Sequence, residues 1–186
     1  MNGDSVPLRR GIFLDRDGVI NVDRRYVGTI KDFEFLPGIF ELCSWAQAKN
    51  FYIVIVTNQS GIGRGLFSIE QYHELTNWML NQFSFNNCKI DLIVTSPIDP
   101  NDDSHSATLK FRRKPNPGMI FDACEILGID PLRSVLIGDS DTDMECAVAA
   151  GIPTRIRLNA QEVSVTGNFH FKDLQELLKS IELVIR

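Results

Sequence analysis

Gly11-Ile12-Phe13-Leu14-Asp15-Arg16-Asp17-Gly18 runs from an apolar segment straight into two carboxylates and a glycine. The apolar part reads as a buried strand whose acids stand at its C-terminal tip. Open α/β sheets place their chemistry at such tips. Two carboxylates this close repel each other unless a cation or a proton lies between them. The stretch therefore points to a metal site in which one carboxylate is available as a nucleophile.

Outward from this strand, apolar runs alternate with amphipathic helical patterns. Residues 16–35 are polar and irregular and predict a loop or flap. Pro37 is expected to open a helix to about Asn50. The β-branched run Tyr52–Val56 predicts a fully buried parallel strand. Thr57 to Gly65 reads as a long polar turn. Ser68 and Gln71 then form a capping box for a helix to about Phe83. Ile90–Thr95 predicts a third strand, and 97–113 a surface loop. Asn116 is expected as N-cap, with Pro117 at the first position of a helix that runs to Leu127 and stops at Gly128. Val135–Gly138 predicts a strand ending at Asp139. A helix follows from about Thr142 to Ala150, closed by Gly151. Thr154–Leu158 and Phe169–Phe171 complete the strands, and Leu174–Val184 is the last helix.

This alternation predicts an α/β fold, a doubly wound parallel sheet with helices on both faces. A single domain over 1–186 is expected, with 1–8 as a mobile tail. Only about 35 residues separate the first two strands, room for a flap but for no large cap domain. Loops 16–35 and 96–113 must then shape the pocket.

The chain has 186 residues, 44% hydrophobic and 23% charged, in the range of a soluble globular protein. Its net charge of -5 suits a small-molecule enzyme better than a nucleic-acid binder, which needs a basic face. No apolar run approaches the ~18 residues of a membrane span. The first ten residues carry no apolar core of a secretory signal. The expectation is a cytoplasmic monomer with a small molecule as partner, and with neither nucleic acid nor membrane. Cysteines 43, 88, 124 and 146 include no Cys-x-x-Cys pair. Cys43, Cys124 and Cys146 fall in apolar helical stretches and read as buried reduced thiols.

Four polar signals fall at strand tips or helix starts on one edge of the predicted sheet: Asp15/Asp17, Thr57/Asn58, Lys114, and Asp139/Asp143. Each alone has an ordinary explanation as a turn, cap or surface residue. Together they supply what phosphoryl transfer needs, a nucleophile in line with phosphorus and neutralisation of the phosphate oxygens. A carboxylate serves as nucleophile by forming an aspartyl-phosphate. Mg²⁺ prefers octahedral oxygen ligation. Asp15 and Asp139 are expected to ligate it by side-chain oxygens and Asp17 by its backbone carbonyl. The Asp17 side chain is left for general acid/base work. Thr57 and Asn58 would donate to phosphate oxygens, and Lys114 would place a positive charge beside the nucleophile.

In this order, Asp15-Arg16-Asp17-Gly18, Thr57-Asn58, Lys114-Pro115 and Gly138-Asp139 with Asp143 resemble the four motifs of the haloacid dehalogenase superfamily of phosphohydrolases. That resemblance implies a Rossmann-like core, Mg²⁺, Asp15 as nucleophile, Asp17 as general acid/base, and Asp143 behind the metal ligands. A longer likeness covers roughly residues 11 to 158. It includes Phe13 to Asp23, Tyr26-Val27, Phe33-Glu34-Phe35, Val56 to Gly65 and Arg113-Lys114-Pro115-Asn116-Pro117-Gly118-Met119. It is similar to the branch that holds the D-glycero-D-manno-heptose 1,7-bisphosphate 7-phosphatases and the histidinol-phosphate phosphatases. The likeness implies substrate contacts from Asp23, Arg24, Arg25 and Tyr26, from Thr57, Asn58, Gln59 and Ser60, and from Arg113. The substrate so implied is a heptose bisphosphate in nucleotide-heptose or lipopolysaccharide supply. Histidinol-phosphate or another sugar phosphate is the alternative. A non-catalytic phospho-acceptor domain is the rival from another class, and Asp17 argues against it, because an acid/base there speeds hydrolysis of the acyl-phosphate.

Two stretches depart from the branch. Members usually carry a structural zinc on a Cys-x-His pair and a later Cys-x-Cys. Here the matching stretches are Ser96-Pro97-Ile98-Asp99 and Lys110-Phe111-Arg112-Arg113, with no cysteine in either. One histidine, His105, cannot close a tetrahedral site, so zinc is not expected. Many members also have Gly-Asp-Lys where this chain has Gly138-Asp139-Ser140. Arg64 reads either as a solvated side chain or as a contact to a second phosphate or a sugar acid.

Overall fold

The computed structural model describes residues 9–159 and 168–185. The expectation of a tail over 1–8 lies outside the described residues. Strands β1 (Gly11–Leu14), β2 (Tyr52–Asn58), β3 (Leu92–Ser96), β4 (Val135–Gly138), β5 (Thr154–Leu158) and β6 (Phe169–Phe171) form one six-stranded sheet in the order β3-β2-β1-β4-β5-β6. Every pairing is parallel.

Side chains along each strand alternate between two cores. Ile12, Leu14, Ile53, Ile55, Val135 and Ile137 face helices α1 (Ile39–Ala48), α3 (Ile69–Phe85) and α7 (Leu174–Val184). Phe13, Val54, Val56 and Leu136 face α5 (Gly118–Leu127) and α6 (Asp141–Ala149). A strand buried on both faces has no polar side to show, which is why Ile12 to Leu14 and Ile53 to Val56 read as unbroken apolar runs. The sheet is therefore doubly wound.

Most boundaries fall where local chemistry puts them. Ser68 and Gln71 make the reciprocal capping box at the start of α3. Gly128 ends α5 in the left-handed conformation at φ 65°. Other boundaries differ from the sequence reading. Gly38 takes φ 96°, so α1 begins at Ile39 and not at Pro37. The polar turn after β2 contains a short helix, α2 (Ser60–Gly63). The third strand is Leu92–Ser96, shifted toward its C-terminus. Segment 97–113 contains helix α4 (Ala107–Phe111), capped by the Ser106 side chain accepting from the Leu109 N–H. Asn116 is not a cap: its Nδ2 donates to the Lys110 carbonyl, and Pro117 precedes the first residue of α5.

Between β1 and α1 the chain holds only a single 3-10 turn, Ile30–Asp32. This flap leaves and returns through a narrow neck. Asn21 bridges to Asp17 on one side and to Phe35 on the other, and the Val22 N–H donates to the Glu34 carbonyl at 2.9 Å. Among the described residues no helix is long and apolar enough to cross a membrane.

Candidate active site

The order of the strands reverses between β1 and β4, and their tips flank the crevice that such a reversal opens. Leu14 pairs with Ile137, and the Asp15 N–H donates to the Ile137 carbonyl at 3.1 Å. That register sets Asp15 and Asp139 side by side. Asp143, on the first turn of α6, reaches the same point. Oxygens of Asp15, Asp139 and Asp143 lie within 4.8 Å of one another. Two glycines make room. A Cβ on Gly18, whose φ is +83°, would come 1.9 Å from Asp139 Oδ2, and one on Gly138 would come 2.3 Å from Asp143 Cβ.

Lys114 enters this cluster from the 97–117 connection. Its Nζ donates to Asp143 Oδ1 at 2.5 Å, lies 2.9 Å from Asp15 Oδ1 and donates to the Val56 carbonyl at 3.0 Å. Burial works against its charge, but Asp143 and Asp15 outweigh that and raise its pKa. The carboxylates shift the other way. Burial, with Asp143 and Asp17 adding repulsion against the pull of Lys114, pushes Asp15 up to about 8. Burial and then Asp143 push Asp139 up to about 6. Fully ionised, three carboxylates against one ammonium leave two negative charges in a partly buried pocket. A hard divalent cation supplies that missing charge, and the donors are all oxygens, so the cluster fits Mg²⁺. The 97–113 segment does not fit zinc: it offers one histidine and no cysteine.

Asp143 is fully buried and held from its own helix end. The Ser140 hydroxyl donates to Asp143 Oδ2 at 2.5 Å, the Ser140 N–H donates to the same oxygen at 3.1 Å, and the two residues form a capping box. Sequence reasoning noted Ser140 only as a departure from the branch. Its spacing to Asp143 was the available signal for the cap.

Asp17 points elsewhere. Its Oδ1 accepts from Asn21 Nδ2 and its Oδ2 from Gln59 Nε2, both at 2.9 Å, and Arg16 Nη2 lies 3.0 Å from each oxygen. Gln59 Nε2 also donates to Thr57 Oγ1 at 2.9 Å. Thr57 is buried at the tip of β2. Asn58 spends its amide on the backbone of Lys114.

Asp17, Asp23, Arg25, Tyr26, Asn58, Gln59, Ser60 and Gly61 line an open cleft of ≈ 410 Å³. Arg25 and Tyr26 adopt φ of 58° and 55°, and the Arg25 N–H donates to Asp23 Oδ1 at 2.7 Å. Arg64 pairs with Asp99 at 3.1 Å, and its guanidinium lies 5.8 Å from the Tyr26 ring centre. Arg113 donates to the Ile98 carbonyl at 3.3 Å; burial and then the Arg64 charge lower its pKa. Arg24 is exposed and paired with Glu34. Sequence reasoning missed Arg16 and Asn21, which bind the Asp17 carboxylate directly.

A parallel sheet with a carboxylate cluster and a buried lysine at its switch point, and with Asp17 two residues past Asp15, is the arrangement expected of a HAD-type phosphatase. The comparisons with known proteins agree. A family model described as HAD-hydrolase-like matches residues 111–159. The D-glycero-alpha-D-manno-heptose-1,7-bisphosphate 7-phosphatase of Campylobacter jejuni is 40% identical over 171 residues, 91% of this chain and 94% of that protein. The D-glycero-beta-D-manno-heptose-1,7-bisphosphate 7-phosphatase of Escherichia coli K12 is 41% identical over 157 residues, 82% of this chain and 78% of that one. Among solved structures, the D,D-heptose 1,7-bisphosphate phosphatase of B. bronchiseptica, complexed with magnesium and phosphate, superposes with a TM-score of 0.81 at 27% identity. It covers 94% of this chain and 98% of its own. The chain belongs to this heptose-bisphosphate phosphatase family of the HAD-like hydrolases, and it is a phosphatase.

Proposed function

We propose that the chain hydrolyses the 7-phosphate of a D-glycero-D-manno-heptose 1,7-bisphosphate, with Mg²⁺ as cofactor, through an aspartyl-phosphate on Asp15. The carrying observation is the buried ion pair that sets the Asp15 carboxylate against Lys114 beside Asp17 at the sheet tip. Asp15 Oδ1 is taken by the Arg16 N–H and by Lys114, which turns Oδ2 toward attack. Asp15 Oδ2 bonds to phosphorus as the bond from phosphorus to the sugar oxygen breaks. Asp17 gives the departing alkoxide its proton. Asp17 then takes a proton from water, whose oxygen attacks phosphorus and restores the Asp15 carboxylate. Thr57 donates to phosphate oxygens, and the Lys114 charge stabilises the negative charge that builds there. Held by Asp15, Asp139 and the Asp17 carbonyl, with Asp143 behind them, bound Mg²⁺ supplies charge neutralisation to the phosphate. Asp23, Arg25, Tyr26, Asn58, Gln59 and Ser60 line the cleft where the sugar and its second phosphate would lie, Arg64 stands against Tyr26 beside it, and the family resemblance adds Arg24 and Arg113 as further contacts. In this reading the chain is a single-domain monomer working in the cytoplasm.

The test is phosphate release from heptose bisphosphate, histidinol phosphate and a set of sugar phosphates, with and without Mg²⁺. The expected result is Mg²⁺-dependent release, fastest with the heptose ester. Turnover in Asp15→Asn should fall by at least about a thousandfold, and in Asp17→Asn by about a hundredfold or more. Undiminished turnover in either variant overturns the mechanism, and preference for histidinol phosphate overturns the substrate.

A further inference from the structure

Among the described residues Arg16 is the largest side chain with under 2% of its surface exposed. Nothing in the chemistry above uses its guanidinium. Its Nη2 lies 3.0 Å from both oxygens of Asp17 and donates to the Val27 carbonyl at 2.6 Å. Among the described residues its Nε and Nη1 have no hydrogen-bond partner. A buried cation with most of its donors unmatched is expensive to keep, and its ion pair here is the Asp17 carboxylate. An arginine whose only task was packing would be replaced by an apolar side chain at lower cost. What the guanidinium offers is a single nitrogen, Nη2, set between both oxygens of the carboxylate and a backbone carbonyl, which fixes that carboxylate in position.

Val27 is itself buried, at the end of the flap residues that line the cleft. Arg16 thus joins two parts of the site, the flap through a backbone carbonyl and the acid/base through its carboxylate. Asn21, in the neck of the flap, and Gln59, after β2, complete the set of donors around Asp17.

We propose that Arg16 is a positioning residue that aims the Asp17 carboxylate for proton transfer and ties its place to that of the flap. The inference rests on the reading of Asp17 as general acid/base. It differs from a packing role in one measurable respect. Protonation of the leaving oxygen matters greatly for an alkyl ester, whose alkoxide is a poor leaving group. It matters little for p-nitrophenyl phosphate, whose phenolate leaves unaided. A misplaced acid therefore slows formation of the aspartyl-phosphate, the step that kcat/KM reports, for the first ester and spares it for the second, whereas a damaged fold slows it for both.

Glycerol phosphate and p-nitrophenyl phosphate are compared as substrates of the wild-type protein, Arg16→Met and Asp17→Asn at saturating Mg²⁺. The expected result is a kcat/KM for the alkyl ester lowered at least about tenfold in Arg16→Met, with that for the aryl ester within about threefold of wild type. Equal losses on both esters in Arg16→Met, with Asp17→Asn still selective against the alkyl ester, overturn the role of Arg16 and leave the proposed function standing. Equal losses in Asp17→Asn itself overturn the acid/base reading. If Arg16→Met does not fold, a crystal structure of the wild-type protein with Mg²⁺ and a phosphate mimic decides. Arg16 Nη2 within hydrogen-bond distance of both Asp17 and the Val27 carbonyl supports the role, and a guanidinium turned away from Asp17 overturns it.

Discussion

Asn58 and Lys114 hold each other twice: Asn58 Nδ2 donates to the Lys114 carbonyl at 3.0 Å, and the Lys114 N–H donates to Asn58 Oδ1 at 3.1 Å. The two residues are 56 positions apart in sequence. A side chain at the tip of β2 thereby fixes the backbone from which the buried ammonium projects. Asn58→Ala should destabilise the protein by about 1–3 kcal/mol, because the backbone groups it satisfied are left unmatched. Turnover should fall as well, because Lys114 shifts with its backbone. Urea denaturation and steady-state kinetics on the same variant check both outcomes.

Lys114→Met removes the only cation within reach of Asp15 and Asp143 among the described ion pairs. Breaking a buried pair from one side costs about 3–5 kcal/mol, most of it from the charge left behind. In the metal-free protein that loss should appear in full. Added Mg²⁺ should recover part of the stability but not the turnover. Denaturation curves with and without Mg²⁺ are the measurement, and a variant as stable as wild type in the absence of metal contradicts the assignment.

The raised Asp15 and Asp139 carboxyls make stability depend on pH in a defined direction. Their folded values, about 8 and about 6, lie above the value of about 4 for an unfolded chain. Between pH 4 and 8 the folded state thus holds protons that the unfolded state has released. Raising the pH through this window lowers the stability of the metal-free protein, and below pH 4 the difference vanishes. Because Mg²⁺ binds the deprotonated site, its stabilising shift in melting temperature should be larger at pH 8 than at pH 5. Thermal melts at the two pH values, with and without Mg²⁺, check the sign.

Gly18→Ala tests the crowding at the metal ligands. The added methyl would stand 1.9 Å from Asp139 Oδ2 on a backbone at φ +83°. Asp139 must move aside. Apparent Mg²⁺ affinity should drop by about 10–100-fold, in the range seen when a ligand loses its support. Turnover titrated with Mg²⁺ reports the change, and it should be recovered at high metal concentration.

The 97–113 segment is held by side-chain contacts. Ser106 caps α4, the Phe111 and Phe121 rings lie 6.3 Å apart, and Arg112 pairs with Asp122 at 2.8 Å. Purified protein should carry no stoichiometric zinc by elemental analysis. A zinc-selective chelator should leave its melting temperature unchanged, whereas removal of Mg²⁺ should abolish phosphate release.

The sheet was legible because its strands are buried on both faces and show it in composition. The capping box of Ser68 and Gln71 was legible because cap and partner are three residues apart. Asn116 was misread for a tertiary reason: α4 places the Lys110 carbonyl where it captures the Asn116 amide, and no local rule contains that contact. Helix α4 itself is too short to display a period. The meeting of Asp15, Asp139 and Asp143 followed from strand tips and motif order. The surroundings of Asp17 did not, since Gln59 reaches it across 42 positions of chain, and an arginine in an acidic motif reads as solvated until its burial is seen.

The neck at Asn21 has a consequence for how such a protein changes over generations. Because the chain exits and re-enters the body through paired backbone at Asn21, Val22, Glu34 and Phe35, residues 23–33 form a cassette clamped at its base. Its exposed side chains are free to drift, or to be swapped for those of another phosphatase, while buried Val27 and Phe33 and the acids beneath stay in place. Selection for a new sugar can therefore act on the mouth and leave the engine as it is.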